Sequence, residues 1–152
     1  YMAQKYTKNI KAVIDILKDE INGDIKSALK KMTKDYTMTW VYQKKNGELF
    51  PATKNDLNAE LEDVYPIKSR EYDIKNIAEG DNVVMIEMIE SYPDPDTKKI
   101  YRTPMVIVLE MEKGKIRTGR HYADPKLSYL CLTKKQLEKA YKNNKGSKGV
   151  LR

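Results

Sequence analysis

Residues 105–124 place the strongest constraint on what this chain can fold into. An apolar run at 105–111, a short turn at Glu112-Lys113-Gly114-Lys115 and a second β-prone run ending at Asp124-Pro125 spell a hairpin. Glycine supplies the positive φ that the turn needs, and proline cannot continue a central ladder. Strand alternation then sets Gly119, His121 and Ala123 on one side, with Arg120, Tyr122 and Asp124 on the other. His121 is the chain's one histidine, so a functional reading turns on the side it faces.

Helical periods come before the strands. Ile10, Val13, Ile14, Leu17 and Ile21 recur at helical spacing, which predicts an amphipathic helix over about residues 7–21. Asn22-Gly23 stops it, Asp24 is placed to cap the next helix, and Ile25, Ala28, Leu29 and Met32 form a second stripe. The period then drops to two. Tyr36, Met38, Trp40 and Tyr42 alternate with Thr37, Thr39, Val41 and Gln43, a strand with an aromatic face that Asn46-Gly47 turns back. Thr53 and Asp56 make a capping box, with aspartate in place of the usual glutamate, for a short third helix carrying Leu57, Leu61 and Val64 and closed by Pro66. Tyr72 and Ile74 open another strand. Gly80-Asp81-Asn82 turns into the apolar run 83–92, a proline-rich loop follows, and 100–111 is a further long strand. Thr133 and Gln136 start a terminal helix through Tyr141. Two helices, a strand, a short helix and four strands in meander predict an α+β fold with helices packed on one face of a curved antiparallel sheet.

The net charge of +7 invites a nucleic-acid reading until it is located. Residues 134–152 carry seven basic residues and one acid, Glu138, leaving 22 basic and 21 acidic residues in the rest. The folded part is therefore nearly neutral. The basic end is expected to be a solvated, flexible tail without stacking aromatics beyond Tyr141, so no nucleic-acid partner is expected. No apolar run approaches the roughly 20 residues of a membrane span. The single cysteine, Cys131, excludes an internal disulfide framework and suits a cytoplasmic protein, with room left for a signal segment upstream of Tyr1. Cys131 has no second cysteine or histidine near it, and no glycine-rich phosphate loop is present, so neither a metal nor a cofactor is expected.

The paired helices joined at Asn22-Gly23-Asp24, the strand opening Asp35-Tyr36-Thr37 and the closing Gly-Lys-Ile-x-x-x-Arg-x-Tyr-x-Asp at 114–124 resemble the nuclear transport factor 2-like superfamily, especially its SnoaL-like branch. The likeness spans about residues 6–130. It implies a cone-shaped sheet, its concave face plugged by helices around a pocket. Members include ketosteroid isomerases, polyketide cyclases and limonene-epoxide hydrolases, and others that only bind ligands or partners. The fold alone therefore does not settle function.

The epoxide-hydrolase pattern, laid on Val84 to Glu90, puts Met88 at the arginine and Glu90 at the acid, and the closing strand puts His121 at the second aspartate. The isomerase pattern places its base at Trp40, its helical tyrosine at Ile16 and its acid near Ile107, none of which transfers a proton. What survives as a catalytic pair is His121 and Glu90, expected to face each other across the pocket within a hydrogen bond or one bridging water. Trp40, Tyr42, Ile86, Met88, Met105 and Ile107 are the expected ligand-binding lining, for a small hydrophobic or aromatic molecule; the same alternation also suits an ordinary core. Arg120 and Tyr122 are expected to support an outer sheet face used for homodimerisation, with Glu87 a partner for Arg120. Asp124 caps the turn that follows it. The chain divides into a cone domain at 1–132 and a C-terminal helix with a flexible basic tail at 133–152. Two functions remain open: a ligand-binding protein with cyclase-, isomerase- or hydrolase-type acid–base chemistry, or a non-catalytic dimeric interaction module with a filled cone and an exposed apolar sheet patch.

Overall fold

The computed structural model describes residues 6–56, 68–146 and 148–152. Helix α1 (Lys8–Asn22) begins where the Thr7 hydroxyl accepts the Ile10 amide at 3.2 Å, satisfying one of the donors a helix start leaves open. It ends at Gly23, where φ is 71° and the Asp24 amide reaches back to the Asp19 carbonyl at 2.9 Å, a left-handed stop that glycine takes without strain. Ile10, Val13, Ile14 and Leu17 are buried on the face their spacing predicts. Asp24 caps α2 (Ile25–Lys30) by accepting the Ser27 amide at 3.0 Å. No helix among the described residues is long and apolar enough to cross a membrane.

Seven strands follow: β1 (Met32–Lys45), β2 (Glu48–Thr53), β3 (Glu71–Gly80), β4 (Val83–Pro93), β5 (Ile100–Glu112), β6 (Lys115–Ala123) and β7 (Gly149–Leu151). They form one curved, open sheet in the order β2-β1-β6-β5-β4-β3-β7. Three hairpins close through two residues of positive φ: Asn46-Gly47, Asp81-Asn82 and Lys113-Gly114. Such turns match the right-handed twist of the strands they join. Hairpins make antiparallel neighbours, so β3 to β6 is the predicted meander. The exception is β1 beside β6, which run parallel, with Trp40 opposite His121. Those two strands are joined by no hairpin, and their mutual direction is set by how the two ends of the chain are brought together.

Register sorts the concave face into rows. One row runs Tyr72, Glu90, Thr103; the next runs Ile74, Met88, Met105, Ala123; a third runs Ile86, Ile107, His121, Trp40. Helix α1 lies over the second and third rows, and its buried stripe forms one core with Ile74, Val84, Ile86, Met88 and Met105. Pro104 lies in β5 just past Met105↔Ala123, where the β6 ladder begins, so the missing amide interrupts no pairing with β6.

Beyond β6, Asp124 accepts the Lys126 amide at 3.0 Å and caps α3 (Pro125–Tyr129). Thr133 and Gln136 complete the expected capping box of α4 (Lys134–Glu138), which tightens into a 3-10 turn over Lys139–Tyr141. Thr53 and Asp56 exchange the expected bonds at 2.9 and 3.4 Å; the remainder of the third helix, with Leu57, Leu61, Val64 and Pro66, lies outside the described residues.

Two expectations give way. The basic end does not hang free of the domain: β7 pairs antiparallel with β3, Asn144 donates to the Lys75 carbonyl at 2.8 Å, and Arg152 reaches Glu71 at 2.9 Å. The outer edge of β3 offers unpaired backbone groups, and a short strand with Val150 and Leu151 satisfies them. Arg120 pairs with Glu110 at 2.9 Å, not with Glu87, which accepts from Asn76 at 2.6 Å. Register explains the exchange, since Glu110 lies one strand from Arg120 and Glu87 lies two.

Candidate functional site

Where β4 finishes, β5 begins and β6 gives way to α3, the concave face is left open as a cleft of about 330 Å³. Its wall includes Tyr42 of β1, Glu90 and Tyr92 of β4, Tyr101 and Met105 of β5, His121 of β6 and Tyr129 of α3. Strand alternation brings them there. Residues 90 and 92, 101 to 105 in steps of two, and 121 and 123 continue the rows that α1 covers further along.

His121 faces inward, as expected. Its ring meets Tyr42 edge to face, with centroids 5.4 Å apart and planes at 84°. Its Nε2 is buried and has no hydrogen-bond partner among the described residues. Burial holds the imidazole below its ordinary pKa, while the Glu90 charge pulls it back up, so the ring is neutral near pH 7.

Glu90 borders the same cleft but does not bond to His121. Its carboxylate accepts from Arg70 Nη1 at 2.7 Å, and β5 stands between β4 and β6. The Glu90 row meets β5 at Thr103 and the His121 row meets it at Ile107, a stagger of roughly 13 Å along the strands. The two groups therefore act on one another through the field across the cleft.

Behind Glu90 lies a polar cluster that reading by segment missed. Arg70, 3% exposed, stacks its guanidinium 4.8 Å from the Tyr92 ring centre. Burial works against its charge, but Glu90, Tyr72 and Glu20 more than offset this and raise its pKa. Tyr72, directly across from Glu90 on β3, donates its hydroxyl to Glu20 of α1. Burial pushes Glu20 up to about 7, opposed by the Tyr72 hydrogen bond and reinforced by the Glu90 charge. Two carboxylates thus share one guanidinium, and a proton resides on Glu20 in part of the neutral range. Glu20 follows Leu17 by three residues on the helix, a positional hint of inward placement. Arg70 carried no such signal.

The expected ligand lining divides in two. Tyr42 and Met105 border the cleft. Ile86 and Met88 are fully buried in the core, and Trp40 and Ile107 pack against that core outside the cleft wall. Among the described residues no cluster of histidine, cysteine, aspartate and glutamate could hold a metal ion.

Comparison with family models and with curated proteins yields no match. Solved structures are similar in fold. IdmH of Streptomyces antibioticus, a proposed polyketide cyclase, has a TM-score of 0.70 at 9% identity over 82% of this chain and 98% of its own. A proposed SnoaL-like polyketide cyclase from Shewanella putrefaciens has a TM-score of 0.67 at 11% identity over 83% of this chain and 86% of its own. The epoxide hydrolase/cyclase-like enzyme SalBIII, concerned with pyran ring formation in the polyether salinomycin, scores 0.65 at 12% identity over 78% of this chain and 92% of its own. With element order, sheet topology and these neighbours in agreement, the chain has the cone fold of the NTF2-like superfamily, SnoaL-like proteins among its structural neighbours.

Proposed function

We propose that the cleft binds a small hydrophobic or aromatic molecule and moves a proton on it, in the manner of a SnoaL-like cyclase or isomerase, with His121 as the base. The observation that carries this reading is a neutral histidine whose ring borders an aromatic cleft. The unprotonated nitrogen of the neutral imidazole accepts a proton from carbon next to a ligand carbonyl. The C–H electron pair becomes the enolate, and the imidazolium returns the proton. Glu90, ion-paired with Arg70, stabilises the imidazolium across the cleft without bonding to it. A lone free thiol on Cys131 suits a reducing compartment.

Deuterium exchange into 2-tetralone in D2O tests this. The protein should accelerate exchange over buffer, and His121→Asn should lower that rate by roughly a hundredfold while changing tetralone binding little. Exchange no faster than buffer, or untouched by the substitution, refutes it.

A second reading has its own observation. Met85, Val106 and Tyr122 are 52%, 36% and 44% exposed on the convex face, and Val106 lies directly across from Tyr122. A second copy of this chain covering that face makes a homodimer, whether or not the cleft is catalytic. Sedimentation should show a dimer at micromolar concentration that Tyr122→Glu dissociates; a monomer at high micromolar concentration rules it out.

A further inference from the structure

The cleft wall is built largely of rings. Tyr92 and Tyr101 lie 5.6 Å apart at 65°, and Tyr101 and Tyr129 lie 6.1 Å apart at 73°. Rings at such angles make walls rather than a stack. The face of a phenol carries negative potential, and surrounding a cation with such faces is favourable. The cluster already does this once, since the Arg70 guanidinium sits over Tyr92.

Charge around the cleft has the same sign. Glu90 is in the wall, and the Tyr101 hydroxyl donates to Asp94 at 2.6 Å, which enriches that ring. Amides of the loop and the Tyr101 hydroxyl hold Asp94 at about 2, so it is a carboxylate throughout the neutral range. Arg70 offsets one of these two carboxylates. No lysine or arginine is among the described residues of the wall, in a chain with 29 of them. Elsewhere the bias reverses: a groove between the start of β1 and the end of β2 is lined by Lys30, Lys34, Lys54 and Lys115. A neutral apolar ligand would leave the Asp94 charge and the tyrosine faces without a role, even with Glu90 serving His121.

We infer that the cleft selects a cationic small molecule, a quaternary ammonium or protonated amine on an apolar or aromatic body, with the cation among Tyr92, Tyr101 and Tyr129 beside Glu90. The inference rests on the proposed ligand-binding role of this cleft and names the substrate class for it. The apolar body would extend toward Met105, where the cleft meets the core. A carbonyl on that body could then approach His121.

Choline and its uncharged isostere 3,3-dimethylbutan-1-ol test the charge directly, titrated by calorimetry at fixed ionic strength. Choline should bind about tenfold more tightly, the scale of one to two cation–ring contacts with a carboxylate nearby. Tyr129→Leu should remove most of that preference; Tyr129 is 77% exposed, so its loss leaves the fold intact. Glu90→Gln should weaken choline severalfold and 2-tetralone less. Equal affinity for the isosteres overturns the inference, as does a choline preference that survives both substitutions or no binding by either isostere. Binding of 2-tetralone separates the two readings: if it persists while choline shows no preference, the cleft stands and its cationic ligand falls. If neither tetralone nor choline binds, both fall.

Discussion

The concave face has a filled half and a cleft half, made by the same strands a few residues apart. In the filled half, Val84, Ile86 and Met88 are wholly buried beneath the stripe of α1. In the cleft half, Glu90 and Tyr92 continue the same alternation on β4, yet the surroundings are polar and aromatic. The difference lies in the cover. A helix laid over a sheet excludes water and rewards apolar packing, whereas α3, a single five-residue turn of helix after β6, shields less and leaves space. In that second setting a neutral histidine, a paired carboxylate and four tyrosines border open space instead of packed side chains.

Removing a side chain from the filled half should have the largest effect. Met88→Ala leaves a cavity under α1 and should cost about 2–5 kcal/mol of stability, with 2-tetralone affinity unchanged where the protein remains folded. Chemical denaturation measures the first and calorimetry the second. A loss under 1 kcal/mol would show that the cone collapses easily and that the two halves differ less than claimed.

Arg70 marks the border between the halves. Arg70→Met strands the Glu90 carboxylate and should destabilise by about 3 kcal/mol. Adding Glu90→Gln should recover part of that loss. Strict additivity in the double-mutant cycle would mean that the 2.7 Å contact carries no coupling.

Glu20 ties α1 to the cleft cluster through Tyr72, and pH should reveal it. Its carboxyl binds a proton more tightly in the folded protein, about 7 against an ordinary 4.5. The folded state is therefore favoured while Glu20 is protonated, fully so below pH 4.5, and this contribution is lost as pH rises through 7. Partial exposure reduces the amount to about 1–2 kcal/mol. Glu20→Gln should flatten the stability profile between pH 5 and 8 and leave the variant more stable than the parent at the alkaline end, by denaturant titration at each pH. An unchanged slope would place the proton elsewhere.

The smallest effect concerns the field across the cleft. Because Glu90 raises the His121 pKa against burial, Glu90→Gln should lower it further. The His121 imidazole resonances followed against pH would show this, and an upward shift would mean that burial and charge have been ranked wrongly.

What the chain determines alone is local. The stripe Ile10, Val13, Ile14, Leu17, the turns at Asn46-Gly47 and Lys113-Gly114, and the caps at Thr53, Asp124 and Thr133 are spelled by neighbours within a few residues, so period and turn chemistry predict them. Strand alternation likewise sets His121, Met105 and Glu90 on the inward side. Tertiary structure decided the rest. Arg70 reaches Glu90 across 20 positions and Tyr72 reaches Glu20 across 52; β1 lies parallel to β6, and β7 docks on an edge that no local pattern announces. These depend on register and on where α1 seats, so which inward residues become core and which become cleft is settled only when the sheet curls beneath its helix. The side a residue faces is a property of two-residue repetition, but what it faces is a property of the assembled fold.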